Sequence, residues 1–552
     1  MPGRCRPWLA LALAFALLGA GCARKAGVPP APPQPTSSAN TIVVAVSAEF
    51  PTLDPAQARD TESISAIQLL DEPLFTYSGS GAIKGLLASS WSWSSGGTVL
   101  TVRINPQATF SDGTPVLASD VVFSLERLVA GTTASPHAAV LSALAGYAQL
   151  RAGGPAAGIQ ATGPRTVVFR LDRPVSYLPE ILAMPCTSII EASGVPGGAT
   201  NAGWWLTHSV GSGPYVLGTS VPGQSLTLEP SPHYWRQGVP AGSGQEGPFA
   251  PVEFRIISQA SEQAKLFADG QIDVLAPADP SAFAPNLPPA GSHLLESGND
   301  GLAFLGFNTT TAPFNNRLVR QAVAYAIDMP ALTRAAGAGA PAAGLVPPDV
   351  PGYDAALAPY AYDPSEARAL LAQAGETGGL AVTLLTIAAG GTVQQGVSDS
   401  ATAVIAHDLD AVGFQVTVRQ DTWAQYYRDL AAGHENLFEG TWLADYPDPQ
   451  DFVANLLGPG APGQGPDGYS GAGYLRALAQ TQAATGQAAR LAAYGALQQE
   501  ILASVPILPE FYTQAAVLVQ PWVHPASFAV FLRAPLLPQL DRVWLQGKPA
   551  GG

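Results

Sequence analysis

The first regular pattern along the chain is "TIVVAVSAEF" (41–50), a β-branched run bounded by polar residues, which predicts a buried strand. "TVLTVRI" (98–104) alternates apolar and polar positions and predicts a second strand. "FSDGTP" (110–115) then places an Asp-Gly pair where a tight turn is expected. From Ser119 the period lengthens. In "SDVVFSLERLV" (119–129) Val122, Leu125, Leu128 and Val129 share a helical face, with Ser119 as the expected N-cap. Residues 130–160 are rich in Ala and Gly and carry no clear period, and "TVVFRL" (166–171) returns to a strand. In "NRLVRQAVAYAID" (316–328) Leu318, Val319, Ala322, Val323, Ala326 and Ile327 line one face of a helix, and "ARLAAYGALQQEIL" (489–502) predicts another. Helices and strands interleaved in this way, with no repeat of fixed period, predict α/β lobes rather than a bundle or a sandwich.

Composition sets the scale. A chain of 552 residues, 47% hydrophobic, exceeds one ordinary domain and predicts two or three. A net charge of -15 argues against nucleic acid as a partner, because neutralising phosphates needs clusters of Lys and Arg. No basic amphipathic stretch suggests a membrane-surface helix.

The N-terminus departs from the rest. Arg4 and Arg6 precede "WLALALAFALLGAGC" (8–22), which is short for a membrane span and has the layout of a signal peptide. The small residues before Cys22 resemble a bacterial lipobox, with Gly19 where that pattern usually has Leu and Leu18 one position further back. The expectation is a signal peptide over 1–21, a lipid on Cys22 and a linker through residue 40; an ordinary secretory signal is the alternative. "GVPPAPPQPTSSAN" (27–40) cannot bury a core and reads as a spacer holding a globular body off a membrane. Once Cys5 leaves with the signal and Cys22 is acylated, Cys186 stands alone. It can form neither a disulfide nor a Cys-based zinc site, and buried packing is its expected role.

Enzyme signatures are thin. "HENLF" (434–438) has Phe438 where a second zinc-binding His is required. "GSGPY" (211–215) lacks the Lys and hydroxyl residue of a phosphate loop, and no G-x-S-x-G elbow occurs. The seven histidines are scattered, so no metal and no cofactor is expected. Asp445, Asp448 and Asp451, three apart with prolines between, do not fit a calcium loop. Asp448 and Asp451 are expected to cap turns.

Six segments, in order, give the chain a recognisable character: "FPTLDPAQARDT", "IKGLLASSWSW" with "FSDGTPVLASDVVFSLER", "GSGPYVL" with "SPHYWRQG", "FNTTTAPFNNRLVRQAVAYAID", "WLADYPDP" and "LQQEILASVPILPEF". Together they resemble the bacterial extracellular solute-binding proteins of the oligopeptide- and dipeptide-binding family, over about residues 41–545. The resemblance implies a two-lobed α/β clamp of the periplasmic-binding-protein kind (type II-like) with an extra α/β domain. Lobe I would comprise 41–79, 206–300 and 509–546, the extra domain 80–205, and lobe II 301–508, with crossings near Gly301 and Pro506–Pro509. It implies a non-enzymatic, extracytoplasmic receptor that closes on oligopeptides and delivers them to an ABC permease, lipid-anchored to the cell membrane and monomeric.

Asp445 matches the family aspartate that pairs with a peptide's α-ammonium group, and Trp442 would wall the same place, with core packing as its alternative. Asn308 in "FNTTT" and Tyr215 in "GSGPY" resemble positions near the cleft, with structural roles as the alternative. One departure stands out. Dipeptide-binding relatives fix the ligand carboxylate with an arginine, and the comparable loop "TIAAGGTVQQG" (386–396) has no Lys, Arg or His, which favours longer peptides. Arg419 and Arg428 lie between that loop and Asp445. Alternative ligands within the fold are an oligosaccharide, an opine or a nickel complex; Trp91, Trp93, Trp204, Trp205 and Trp442 could stack on sugars. A peptide-signal sensor is the reading from another class.

Overall fold

A computed structural model describes residues 40–549, apart from 79–81, 156, 197–200, 209–210, 237–249, 276–290, 388–398, 434–435, 466, 485 and 526–542. The signal segment, Cys22, the Pro-rich spacer and nearly all of loop 386–396 lie outside the described residues.

A ten-stranded mixed sheet organises the chain. From edge to edge it runs Phe414–Asp421, Leu380–Ile387, Leu437–Leu443, His293–Phe307, Ile507–Val519, Val274–Leu275, Ile42–Val46, Val252–Ile256, Ser225–Pro230 and Tyr215–Val221. The all-apolar first strand sits inside this sheet, parallel to Val252–Ile256 on one side and Val274–Leu275 on the other, and all five of its residues are buried. That explains its continuous β-branched run: a strand covered on both faces has no polar side to show.

The two longest strands, His293–Phe307 and Ile507–Val519, pair antiparallel at the middle of the sheet. Their register slips between Gly298 and Leu302 and again between Ala303 and Phe304. Beyond Leu302 the pleat sorts side chains strictly: Ala303, Leu305 and Phe307 join one core, Leu302 and Phe304 another on the opposite face.

A separate four-stranded antiparallel sheet, ordered Ala88–Ser94, Val99–Ile104, Thr166–Arg170, Ile159–Gly163, is packed by the helix Ala118–Val129 over its own core. The predicted strands 98–104 and 166–171 appear as Val99–Ile104 and Thr166–Arg170, and Gly113 takes the left-handed conformation (φ +90°) that the Asp-Gly turn requires. The helix corrects one expectation. Ser119 is not its N-cap: the helix starts at Ala118, and Asp120 turns back to accept the Leu117 N–H at 2.8 Å. Its buried face is correspondingly Val121, Ser124, Leu125, Leu128 and Val129, leaving Val122 at the rim.

The helix Arg317–Ala326 starts from Asn316, whose side chain accepts the Leu318 N–H. Within it Arg320 is buried and donates to three carbonyls: Val505 at 2.7 Å, Phe314 at 2.6 Å and Ser504 at 2.9 Å. Val505 ends the helix Gln487–Ser504 at φ +46°, a strained conformation for a β-branched residue. Arg320 thus holds the corner from which Ile507–Val519 departs. Among the described residues no helix is long and apolar enough to cross a membrane.

Candidate functional site

Asp445 lies just past the end of the strand Leu437–Leu443, where the backbone leaves the sheet for the helix Pro449–Leu457. The turn is fixed from both sides. Asp448 caps the helix by accepting the Gln450 N–H at 2.9 Å, as expected, and also takes both terminal nitrogens of Arg490 in a buried pair. Asp451 does more than cap the turn. Fully buried, it accepts the Trp442 Nε1–H at 2.8 Å and the Asp445 N–H at 3.1 Å on one oxygen, and Asn455 Nδ2 at 2.9 Å on the other. One buried carboxylate therefore aims both the indole of Trp442 and the backbone of Asp445.

The Asp445 side chain is exposed, whereas Ala444 and Tyr446 on either side are buried. Protein nevertheless crowds it. Desolvation pushes its carboxyl above the usual range, and His137 draws it partly back. A group both wet and crowded stands in a concavity. Desolvation and the neighbouring Asp445 together push Asp451 well above the carboxylate range. Two acids facing each other are relieved by any cation that enters between them and the solvent.

The opposite wall comes from the second sheet's part of the chain. Tyr446 packs into that core and stacks on Tyr177, ring centroids 6.1 Å apart and nearly parallel at 5°. The Arg490 guanidinium lies 5.0 Å from the Tyr177 ring. His137 donates Nε2–H to the Ala58 carbonyl at 2.7 Å, and Cys186 is buried, its thiol pushed up by burial and by Asp445.

Behind Trp442 is a partly enclosed cavity of about 80 Å³. Phe438, Gly440 and Trp442, alternate residues of one strand, line it with Phe304 and Gly306 of the neighbouring strand. The two glycines let aromatic rings lie flat against the sheet: a Cβ at Gly440 would stand 2.6 Å from the Phe304 ring, and one at Gly306 2.2 Å from the Phe438 ring.

The other sequence-predicted residues fall elsewhere. Tyr215 is fully buried and donates its hydroxyl to the Ala250 carbonyl at 3.0 Å, so it has no face to offer a ligand. Asn308 is buried too. Its oxygen accepts from the Thr310 N–H at 3.1 Å and its Nδ2 donates to the Gly433 carbonyl at 3.2 Å, so it locks a turn. Both corrections have one cause: a residue that belongs to a motif can serve the fold. Arg419 is committed to Asp421 and Asp429, and Arg428 donates to Gln425 from an exposed face. Trp205 is buried beneath Arg127, 5.0 Å from its ring, and Trp204 packs edge-on against it.

Several buried carboxylates escaped the sequence reading, among them Glu72, Asp54 and Glu439. Glu72 accepts from Ser212 at 3.1 Å, Tyr234 at 3.0 Å and Trp235 at 2.7 Å, and burial holds its pKa up at about 7. The "GSGPY" and "SPHYW" segments are thus partners of one acid, and Gly211 is glycine because a Cβ there would lie 2.0 Å from Asp71 Oδ1. Asp54 of "LDP" pairs with Arg127 at 2.7 Å. Glu439 accepts from Thr402 at 2.7 Å on the sheet face away from Trp442. Polar residues at otherwise apolar positions were the available signal. Among the described residues no group of three or more His, Cys, Asp or Glu is arranged to hold a metal ion.

Residues 82–464 match the model of the bacterial extracellular solute-binding proteins, family 5. The glutathione-binding protein GsiB of Escherichia coli O1:K1 is 31% identical over 349 residues, 63% of this chain and 64% of that protein's length. The murein tripeptide binding protein MppA of Escherichia coli superimposes with a TM-score of 0.73 at 24% identity, over 92% of this chain and 99% of that one. The OppA of Haemophilus influenzae in complex with RPPGFSPFR superimposes with a TM-score of 0.72 at 22% identity, over 93% and 100%.

Proposed function

The chain belongs to family 5 of the bacterial extracellular solute-binding proteins, with their two-lobed α/β fold, and on that premise we propose that it binds oligopeptides through Asp445 and hands them to an ABC permease. The observation that carries the reading is Asp445 itself, a solvent-reached carboxylate crowded by protein, its backbone N–H held by the buried acid Asp451. A peptide α-ammonium is a cation of the right size for that place. A hydrogen bond to a charged group contributes about 1.5–3 kcal/mol, and closure of the lobes strengthens it by excluding water.

The relatives' ligands point the same way: glutathione, a murein tripeptide and RPPGFSPFR are all peptidic and vary in length. Trp442 forms the wall beside Asp445. Lobe I comprises 41–79, 206–300 and 509–546, the extra domain 80–205 and lobe II 301–508; the four-stranded sheet, contained within 88–170, supports this division. Cys22 carries a lipid that tethers the monomer outside the cytoplasm.

The test is to purify residues 23–552 natively, denature them, and identify what is released by mass spectrometry, for wild type and Asp445→Asn. Short peptides released by the wild type and depleted in the variant are the expected result. A sugar or a metal complex released equally by both would overturn the reading.

A further inference from the structure

Two buried polar atoms on opposite walls suit each other and do not meet. Among the described residues, Arg490 Nε and Glu180 Oε2 are both shut away from water with no hydrogen-bond partner. One is a donor on a cation, the other an acceptor on an acid. A buried group left in this way is costly and rare. The two terminal nitrogens of Arg490 are taken by Asp448, so Nε is the donor that the ion pair leaves over. The guanidinium lies 5.5 Å from the Tyr494 ring of its own helix and 5.0 Å from the Tyr177 ring of the facing wall. Tyr177 leads into the short helix Leu178–Ile181, and Glu180 stands three residues further on. Burial pushes the Glu180 carboxyl up to about 7 against the pull of its own backbone N–H, and Asp448 and Arg490 act on it in opposite directions. The acid and the guanidinium are thus neighbours across a seam, and the bond between them is unmade.

In the division proposed above, Tyr177 and Glu180 belong to the extra domain, and Asp448 and Arg490 to lobe II. The seam therefore runs between the two parts of the clamp. The turn that carries Asp445 borders it. Tyr446 follows Asp445 at once and stacks on Tyr177, and Asp448 comes two residues later. Asp448 ties this turn to the helix Gln487–Ser504 through Arg490, so the turn and the guanidinium move together. Asp445 is exposed, so the walls have not shut out water beside it.

We propose that Glu180 and Arg490 form a latch across this seam, a charge-assisted hydrogen bond from Nε–H to Oε2 that is made when the lobes close and lost when they part. The latch rests on the clamp division above and, for its coupling to ligand, on the peptide reading. It sets how long the closed state lasts. It does not touch the ligand, and the first encounter with Asp445 does not need it.

The experiment is stopped-flow binding of tri-, tetra- and penta-alanine to wild type, Glu180→Gln and Glu180→Ala, with small-angle scattering of peptide-free wild type and Glu180→Arg. Glu180→Ala is expected to speed dissociation about tenfold while association stays within about threefold of wild type. Glu180→Gln, which can still accept a neutral hydrogen bond, is expected to speed it less. Its urea midpoint without peptide is expected not to fall, because the oxygen it replaces has no partner there. A residue that only supports the fold would lower that midpoint and leave dissociation unchanged. Without peptide, Glu180→Arg sets like charge against Arg490 and is expected to enlarge the radius of gyration. Where a peptide binds, the rates decide: dissociation from Glu180→Ala as slow as from wild type would overturn the latch and leave the peptide reading standing. Failure of all three peptides to bind wild type would overturn that reading. Scattering then decides the latch, and an unchanged radius in Glu180→Arg would overturn it too.

Discussion

At the scale of single residues, carboxylates divide into those exposed to solvent, such as Asp445, and those that hold the fold. Asp445→Asn keeps the side chain's shape and removes its charge, so peptide affinity is expected to fall about ten- to hundredfold by calorimetry, at one lost charged hydrogen bond, with the unfolding midpoint unchanged. Asp448 differs: it is buried against Arg490, which is buried in turn. Breaking a buried pair by removing one partner costs about 3–5 kcal/mol, so Asp448→Ala is expected to lower stability by that much in urea unfolding. A loss under 1 kcal/mol would show that Arg490 finds another partner. The irregular place after Trp442 was legible because prolines follow it, and the structure puts Asp445 where the chain leaves the strand Leu437–Leu443. Asp448 and Asp451 were not separable in the sequence: both precede or open the same helix, and only packing shows that one pairs with Arg490 while the other aims Trp442. Tyr215 and Asn308 misled for the converse reason, since a motif preserves a packing solution as readily as a contact.

At the scale of elements, the predicted strands and helices appear within a few residues of their expected ends because their periods are strong. What the periods leave open is which polar residues a face can bury. Glu439 on Leu437–Leu443 and Glu510 on Ile507–Val519 are both buried, and among the described residues one oxygen of Glu439 and both of Glu510 have no hydrogen-bond partner; desolvation pushes both up, with Asp399 adding to it for Glu439, which reaches about 7, and Glu439 adding to it for Glu510. The sign follows directly. Native carboxyls with raised pKa values bind protons more tightly than unfolded ones, so their stabilisation is present below the unfolded value of 4.5 and is lost as pH rises through about 7. Glu72 and Glu180, also held at about 7 by burial, add the same slope. The urea midpoint is expected to be lower at pH 8 than at pH 5, and Glu439→Gln is expected to reduce that difference; an unchanged difference would remove this pair as its source. Arg320 is the other element-level device. Arg320→Met strips three carbonyls of their donor, including that of the strained Val505, and about 1–3 kcal/mol for each buried group left unpaired makes this variant strongly destabilised in the same assay.

At the scale of the whole molecule, the α/β class was legible from interleaved periods, and the order of motifs carried the family. The sheet topology was not, because nothing local to Ile42–Val46 says that its neighbours lie more than two hundred residues away. Two predictions belong here. Saturating peptide is expected to reduce the radius of gyration in small-angle scattering of wild type and to leave Asp445→Asn unchanged at the same concentration; no compaction would separate binding from closure. Cys22→Ser is expected to move the protein from the membrane fraction to the soluble one, and retention in the membrane would retire the lipid.

The seam of the sheet has a consequence for when the protein can fold. Ile507–Val519 is the strand that joins Val274–Leu275 to His293–Phe307, so the half of the sheet begun at Ile42 keeps an open edge until almost the entire polypeptide is present. Lys548 completes it, its ammonium reaching the Thr41 carbonyl at 2.7 Å and Asp273 at 2.6 Å, where Val43 and Trp522 also donate. Such distant pairings are slow to form because their loop-closure cost precedes their reward. A nascent chain of this topology emerges N-terminus first yet stays unfinished until its last segment arrives. The half-sheet begun at Ile42 therefore stays unfinished through most of synthesis, and a polypeptide bound for the far side of a membrane benefits from that delay.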